Sequence, residues 1–492
     1  MDSEGVLCEL FSRLPAKSVL RFRAVSKTCS SFPSENFFIR KHSEQALFMD
    51  NPGFFIQQDF RWGKIELHRL PPPKKNKDGE KKSFDDDNDY GVPNTSLRFL
   101  SNTAKILGSY NGILVLKNTN EEHNKGLFLC NPATQKCFTI PNPTTTNSDN
   151  HYSTVVLLGI HILSHHHDTV GRGATIEEEF PDNYRVIMVK PEVEDWSSNS
   201  SIYVYTKGQE AWEEMDKFNT GARNILYDAP PVYCKGAIHL ISDTFPYLTK
   251  ASPDYKPYIV AYHIHNRTSW RLKLPKVALR RSPDPSCEMR IFKWGGGNSS
   301  SSSSLCLIRL RKSVFMGWVL EDYHDMGSSW TLVLKARVGA MALMEEEQNP
   351  VEVRGFTVIN GDSLVFATQK RIYHYRLTLS SGGGGRPTRQ LLVEGAEEIC
   401  GHGLGEDARY LCLTGYANTL RPCGSEEHPL MPPLINKGVE ERVVDDEKLS
   451  PTVLVLLYTN PNPWRLFFSF LLSLFSIVLP LLMSWVFAER QR

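Results

Sequence analysis

Although the chain has ten cysteines in 492 residues, no two of them stand at C-x-x-C spacing. With no paired spacing, neither a zinc ribbon nor a disulfide framework is expected, and the thiols read as small buried hydrophobes in a reducing compartment. A surplus of one charge sign is also missing. Lys and Arg number 56 against 55 Asp and Glu, for a net charge of +1, so nothing in bulk electrostatics calls for a nucleic-acid partner and none is expected. The opening MDSEGVLCEL lacks the basic then apolar pattern of a cleaved signal peptide.

The sequence also lacks the motifs that carry chemistry. There is no G-x-S-x-G, no H-E-x-x-H and no kinase signature. His165, His166 and His167 are consecutive in a polar stretch with no cysteine or carboxylate at ligand spacing, so they read as a solvated loop. GHGLGE at 401–406 is not followed by the Lys-Ser/Thr of a phosphate-binding turn. The charge runs Glu177–Glu179 and Glu345–Glu347 read as solvent-facing. No catalytic residue, metal ligand or cofactor is therefore assigned, and the chain is not expected to be an enzyme.

What the sequence does have begins with a short helical block over residues 4–45. Leu7, Leu10, Phe11 and Leu14 recur at i, i+3, i+4 and i+7, which gives one apolar face over two turns. Pro15 ends that helix, and Ala16 to Ala24 offers a second, basic one. Ser26 is placed to cap a third, and Asn36 to His42 reads as a fourth. Residues 46–96 read as linker and charged loop, centred on the charge-dense Lys74–Asp89.

From residue 97 to 460 short apolar runs alternate with turn clusters, the signature of strands. They are GILVL (112–116), LFLC (127–130), SIYVY (201–205), IVAYHI (259–264), LCLIRL (305–310), GWVLEDY (317–323), SLVFA (363–367), RIYHYRLTL (371–379), YLCLTGY (410–416) and TVLVLLY (452–458). LFLCNPATQKCFTIP and IVAYHIHNRTSWRLKLP share a strand, N–x–x–[TS], an aromatic at variable spacing within the next four residues and a closing [IL]–P, and Trp212, Trp270 and Trp330 recur at near-even spacing. Such recurrence suggests radial repetition, as in a propeller or kelch-like body. The Gly/Ser runs at 295–304 and 380–386 read as loops between strands.

Leu466 to Phe487 is 22 residues without a charge. As a helix it would span about 33 Å against roughly 30 Å of hydrocarbon. Fifteen of its residues are Leu, Phe, Ile or Val, which favours insertion by ~5 to 9 kcal/mol. The expectation is a single-pass transmembrane tail over 464–487, anchoring the protein with its body in the cytosol; a cytoplasmic or nuclear protein is the alternative.

RLP-x-KS-x-LRFR-x-VSK, from Arg13 to Lys27 and preceded by Leu7, Glu9 and Leu10, resembles the F-box, the helical module that docks onto the Skp-type adaptor of a Skp–cullin–F-box ubiquitin ligase. Cys29 stands where an F-box usually carries Trp, and Asp2 and Ser3 replace its usual Leu-Pro start. ILGSYNGILVL (106–116), LCNPATQKCFTIP (129–141), NYRVIMV (183–189), PPVYCKGAIHLIS (230–242) and GWVLEDYHDMGSSWTLVLKARV (317–338) are similar, in order, to the plant F-box-associated, kelch-like domain. The resemblance implies a small helical F-box and a mainly β propeller or kelch-like body. It does not cover the membrane tail, which the apolar run alone suggests, and together they make an α+β chain with a C-terminal transmembrane helix. The resemblance also implies a non-catalytic ligase subunit that binds the adaptor through the F-box, at Leu10, Leu14, Pro15, Leu20 and Val25, has a cullin as a further partner in the complex, and binds an unknown protein target through the body. In so small a module, at least two of those five are expected to pack inward. The competing expectation is a membrane-tethered interaction module whose F-box no longer engages a ligase.

Overall fold

Phe54, Phe55 and Ile56 are consecutive in one strand, Gly53–Gln58 (β1), and all three are fully buried. Successive strand side chains point to opposite faces, so β1 must be covered on both sides. The same holds for Val186 to Val189 and for Leu305 to Ile308. Strands of this kind need a sheet packed on each face, and stacking sheets radially around an axis meets the need without leaving an outer layer bare.

The computed structural model describes residues 3–48, 53–58, 65–70, 100, 104–118, 126–141, 154–159, 184–192, 198–206, 209–227, 229–279, 287–295, 304–322, 329–341, 343, 351–359, 361–377, 396–402, 411–424 and 428–429. The chain divides into a unit Met1–Pro433 and a unit Leu434–Arg492, and every described residue lies in the first. That unit opens with helices α1 (Ser3–Ser12), α2 (Ala16–Phe22), α3 (Lys27–Ser31) and α4 (Asn36–Phe48), with a 3-10 turn at Phe32–Ser34 before α4.

Six antiparallel sheets follow. β1 pairs with β2 (Ile65–Arg69) and, across the length of the chain, with β23 (Leu411–Tyr416). The next blade is β3 (Ala104–Tyr110), β4 (Ile113–Asn118), β5 (Leu127–Asn131) and β6 (Lys136–Ile140), edged by β24 (His428–Pro429). Then come β7 (Thr154–Gly159), β8 (Tyr184–Pro191), β9 (Asn199–Thr206) and β10 (Glu213–Asn219). The fourth sheet is β11 (Val232–Cys234), β12 (Ala237–Ile241), β13 (Tyr258–His263) and β14 (Thr268–Lys273). The fifth is β15 (Glu288–Trp294), β16 (Ser304–Arg311), β17 (Val314–Asp322) and β18 (Ser329–Arg337). The last is β19 (Gly355–Ile359), β20 (Ser363–Ala367), β21 (Arg371–Arg376) and β22 (Glu397–Gly401).

The inner strands touch in the cyclic order β3, β7, β11, β15, β19, β23 and back to β3, which makes a closed six-bladed propeller. Between each pair of adjacent blades lies one buried apolar cluster. Strand alternation feeds both neighbours at once: Phe55 enters the cluster shared with β3–β6, while Phe54 and Ile56 enter the one shared with β19–β22. Two of the evenly spaced tryptophans tie blades together. Trp212 Nε1 donates to the Pro141 carbonyl (2.6 Å) and Trp330 Nε1 to that of Lys273 (2.8 Å), each on the preceding blade. Trp270 packs in the opposite direction, toward the following blade.

Nine of the ten expected runs lie in strands; the tenth, at 452–458, falls outside the described residues. So do the charged run 74–89 and the histidines 165–167. β1 and β2 sit inside the stretch 46–96 expected as linker, because the ring borrows both to complete its sixth sheet.

The membrane expectation is corrected. Among the described residues no helix is long and apolar enough to cross a membrane. The segment 464–487 that prompted the expectation lies outside the described residues. The transmembrane helix therefore drops out of the fold class, and the tail-anchored localisation goes with it.

Candidate functional site: the N-terminal helical module

Leu14 precedes Pro15, whose missing N–H and fixed φ end α1 and start α2, with Pro15 at the N-cap (φ −55°, ψ 143°). Ser26 caps α3 as its sequence position suggests, its hydroxyl accepting from Cys29 N at 3.1 Å. α4 runs to Phe48, longer than its sequence pattern suggests.

The module's own core is Cys8, Ala16, Val19, Phe32 and Phe38, with Phe11, Leu14 and Leu20 half-buried against it. A ladder of rings runs through it: Phe22 stacks on Phe11 (5.1 Å), Phe11 meets Phe32 edge-on (5.8 Å) and Phe32 stacks on Phe38 (5.3 Å). Cys29 is buried, and so is Phe32 three residues later, which stacks on Phe38. His42 Nε2 reaches the Leu14 carbonyl at 2.9 Å and ties α4 to the α1–α2 corner; burial holds this imidazole below its ordinary pKa. On the surface Glu9 bridges Arg13 and Lys41, and Lys41 beside it holds its carboxyl below the usual range.

The core does not close on itself alone. Leu420, from the segment after β23, is buried within it, and Ala133 of the β5–β6 turn packs against it. That segment is fixed in turn by Asn131, whose Nδ2 donates to the carbonyls of Thr419 (3.0 Å) and Arg421 (2.7 Å). Thr419 Oγ1 donates to the Asn111 carbonyl in the β3–β4 turn. The helices thus sit on the face of the propeller that carries the turns β3–β4 and β5–β6.

The five expected adaptor residues separate here. Leu10 (56% exposed) and Val25 (69%) face outward, as does Pro15. Leu14 and Leu20 turn inward, so two of the five are mainly intramodular. The sequence reading missed Val6, Leu7, Phe22 and Phe37 as exposed apolar residues. α1 held the clue: Val6, Leu7, Cys8, Leu10 and Phe11 form a stripe too wide for one contact. Cys8 and Phe11 line the core, while Val6, Leu7 and Leu10 are left outside. Of the nine exposed large hydrophobic residues described, six belong to this module.

The other three, Phe245, Tyr247 and Val277, lie on the connections β12–β13 and β14–β15. Each blade of four alternating strands returns to the end at which it began, so these connections emerge on the face opposite the helices. Buried Arg223 braces the first of them. It donates to the Asp243 carboxylate (3.1 Å) and to the carbonyls of Asp243, Phe245, Asp254 and Tyr255.

Among the described residues no group of three or more His, Cys, Asp or Glu side chains is arranged to hold a metal. Residues 3–40 match the F-box domain family. No curated protein matches the chain. Solved structures resemble the body only distantly. A variant of the Aleuria aurantia lectin shares 12% identity, over 71% of this chain and 90% of that one, at a TM-score of 0.33. The WD40 domain of SCAP from fission yeast shares 13%, over 60% of this chain and 62% of that one, at a TM-score of 0.29. The propeller assignment rests on the strand pairing and not on these likenesses.

Proposed function

We propose that the chain is a non-catalytic substrate-recognition subunit of a Skp–cullin–F-box type ubiquitin ligase. The F-box at residues 3–40 supports this reading, since F-box domains typically bind Skp-type adaptors. One observation carries it further: six of the nine exposed large hydrophobic residues described are on this small module. Uncovered apolar side chains concentrated on one small module mark a protein contact. Leu10 and Val25 contact the adaptor, while Leu14, Leu20 and Pro15 hold the helices that present them.

The target binds the opposite face of the propeller, where Phe245 and Tyr247 stand on a loop braced by Arg223. The strand–turn–aromatic hairpins β5–β6 and β13–β14 support reading the body as a kelch-like, F-box-associated domain. The subunit performs no bond chemistry on the target; it holds the target near the ubiquitin donor and raises their effective concentration.

The test is co-purification of adaptor with the tagged chain. Leu10→Asp combined with Val25→Asp is expected to cut captured adaptor at least about tenfold with no change in Tm, since both side chains are exposed and add nothing to the core. Undiminished capture by this double variant overturns the reading. Leu14→Asp is a poor substitute, because it would unfold the module.

A further inference from the structure

His68 and Cys400 are 332 positions apart, yet Cys400 Sγ lies 3.1 Å from His68 Nδ1. The other imidazole nitrogen, Nε2, is 3.0 Å from Glu66 Oε2. His68 and Glu66 stand two apart on β2 and so share one face of the strand. Cys400 is on β22 of the neighbouring blade, so closure of the ring brings the three together. The His68 ring is held by stacking on Phe54, whose centroid is 5.7 Å away. Glu66 accepts only, so Nε2 carries the hydrogen and Nδ1 of the neutral ring is left as an acceptor facing the thiol. The three groups form a relay of nucleophile, base and orienting carboxylate, and do not converge on a point as metal ligands would.

We propose that Cys400, His68 and Glu66 form a nucleophilic-thiol site that small hydroperoxides oxidise. The thiol proton passes to His68, whose imidazolium is stabilised by Glu66. The Cys400 thiolate attacks one peroxide oxygen, an S–O bond forms and the O–O bond breaks. Sulfur loses two electrons to become a sulfenic acid, and the peroxide gains them. The departing hydroxide or alkoxide takes the proton from His68 and leaves as water or alcohol. Cys400 is half-buried and the His68 side chain is 13% exposed, so access is limited and favours a reagent of a few atoms. A proton donor beside the sulfur also suits a leaving group that needs protonating.

The full chain would be treated with hydrogen peroxide at neutral pH, its sulfenic acids trapped with dimedone and the peptides quantified by mass spectrometry. Cys400 is expected to label ahead of Cys137, Cys287 and Cys412, which are also half-buried. His68→Gln is expected to slow labelling of Cys400 about tenfold, toward that of an ordinary thiol, and to leave the other three unchanged. Cys400 labelling no faster than those three, or at the same rate in His68→Gln, overturns the proposal. If His68→Gln disrupts the fold, the buried Cys130 and Cys306 will label as well, and Glu66→Gln then decides. This variant keeps the base and removes its anionic support. A several-fold loss at Cys400 alone sustains the proposal, and an unchanged rate overturns it.

Discussion

His239 on β12 is fully buried, with one ring nitrogen 3.0 Å from the Val232 carbonyl. Burial pulls its pKa from 6.5 down to about 4. The folded value lies below the unfolded one, so the unfolded chain binds the extra proton between them. The stabilisation is therefore complete above pH 6.5 and drains away as pH falls toward 4, by ~3 kcal/mol from this one group. His42 and His374 are also depressed by burial and act in the same direction. Urea midpoints measured from pH 7.5 to pH 4.5 should fall across this window, and His239→Gln, which keeps a donor but cannot titrate, should fall less. At this scale the sequence was legible by type but not by direction. Leu10 on α1 and Leu14 just beyond its end are the same residue type four apart, and only the buried cluster against which Leu14 packs, which includes Phe32 and Leu420, decides which turns inward. Cys400 read as another small hydrophobe because its partner histidine is on a strand at the other end of the chain.

Asn131 closes β5 and is wholly buried, with one amide nitrogen serving two carbonyls and its oxygen accepting from Ala133 N. Asn131→Ala would remove the buried donor shared by the Thr419 and Arg421 carbonyls, at a cost of about 2–4 kcal/mol. We expect a lower Tm and faster hydrogen exchange over 417–423, because these elements are what the helices rest on. Asn266, which occupies the matching place in the second copy of the sequence rhyme, is on an exposed turn and makes no such link. The rhyme therefore located two hairpins correctly but could not say which asparagine was structural. Elements with local periodicity were readable, including the capped α3 and nine strands. β1 escaped because it is buried on both faces and so lacks apolar–polar alternation, and because it adjoins a charge-rich stretch.

The ring is closed by pairs such as Phe55 with Thr414, which leave no local trace in sequence. A propeller was legible from repeated strand–turn units, but its closure was not. A chain ending at Tyr410 loses β23 and with it the inner strand of the sixth sheet, exposing two apolar clusters. It should lose the cooperative unfolding transition seen by calorimetry, whereas a chain ending at Pro433 retains all six described sheets and should keep it. Leu420 follows that closing strand and fills the floor of the helical module, which sets an order of events during synthesis. The F-box leaves the ribosome first, yet its seat is among the last parts made. At 5–20 residues per second, Leu420 follows Phe48 by about 20 to 75 s. For that interval the nascent chain carries adaptor-docking helices with no propeller beneath them, so the docking module should reach its finished form only once the target-holding body is in place.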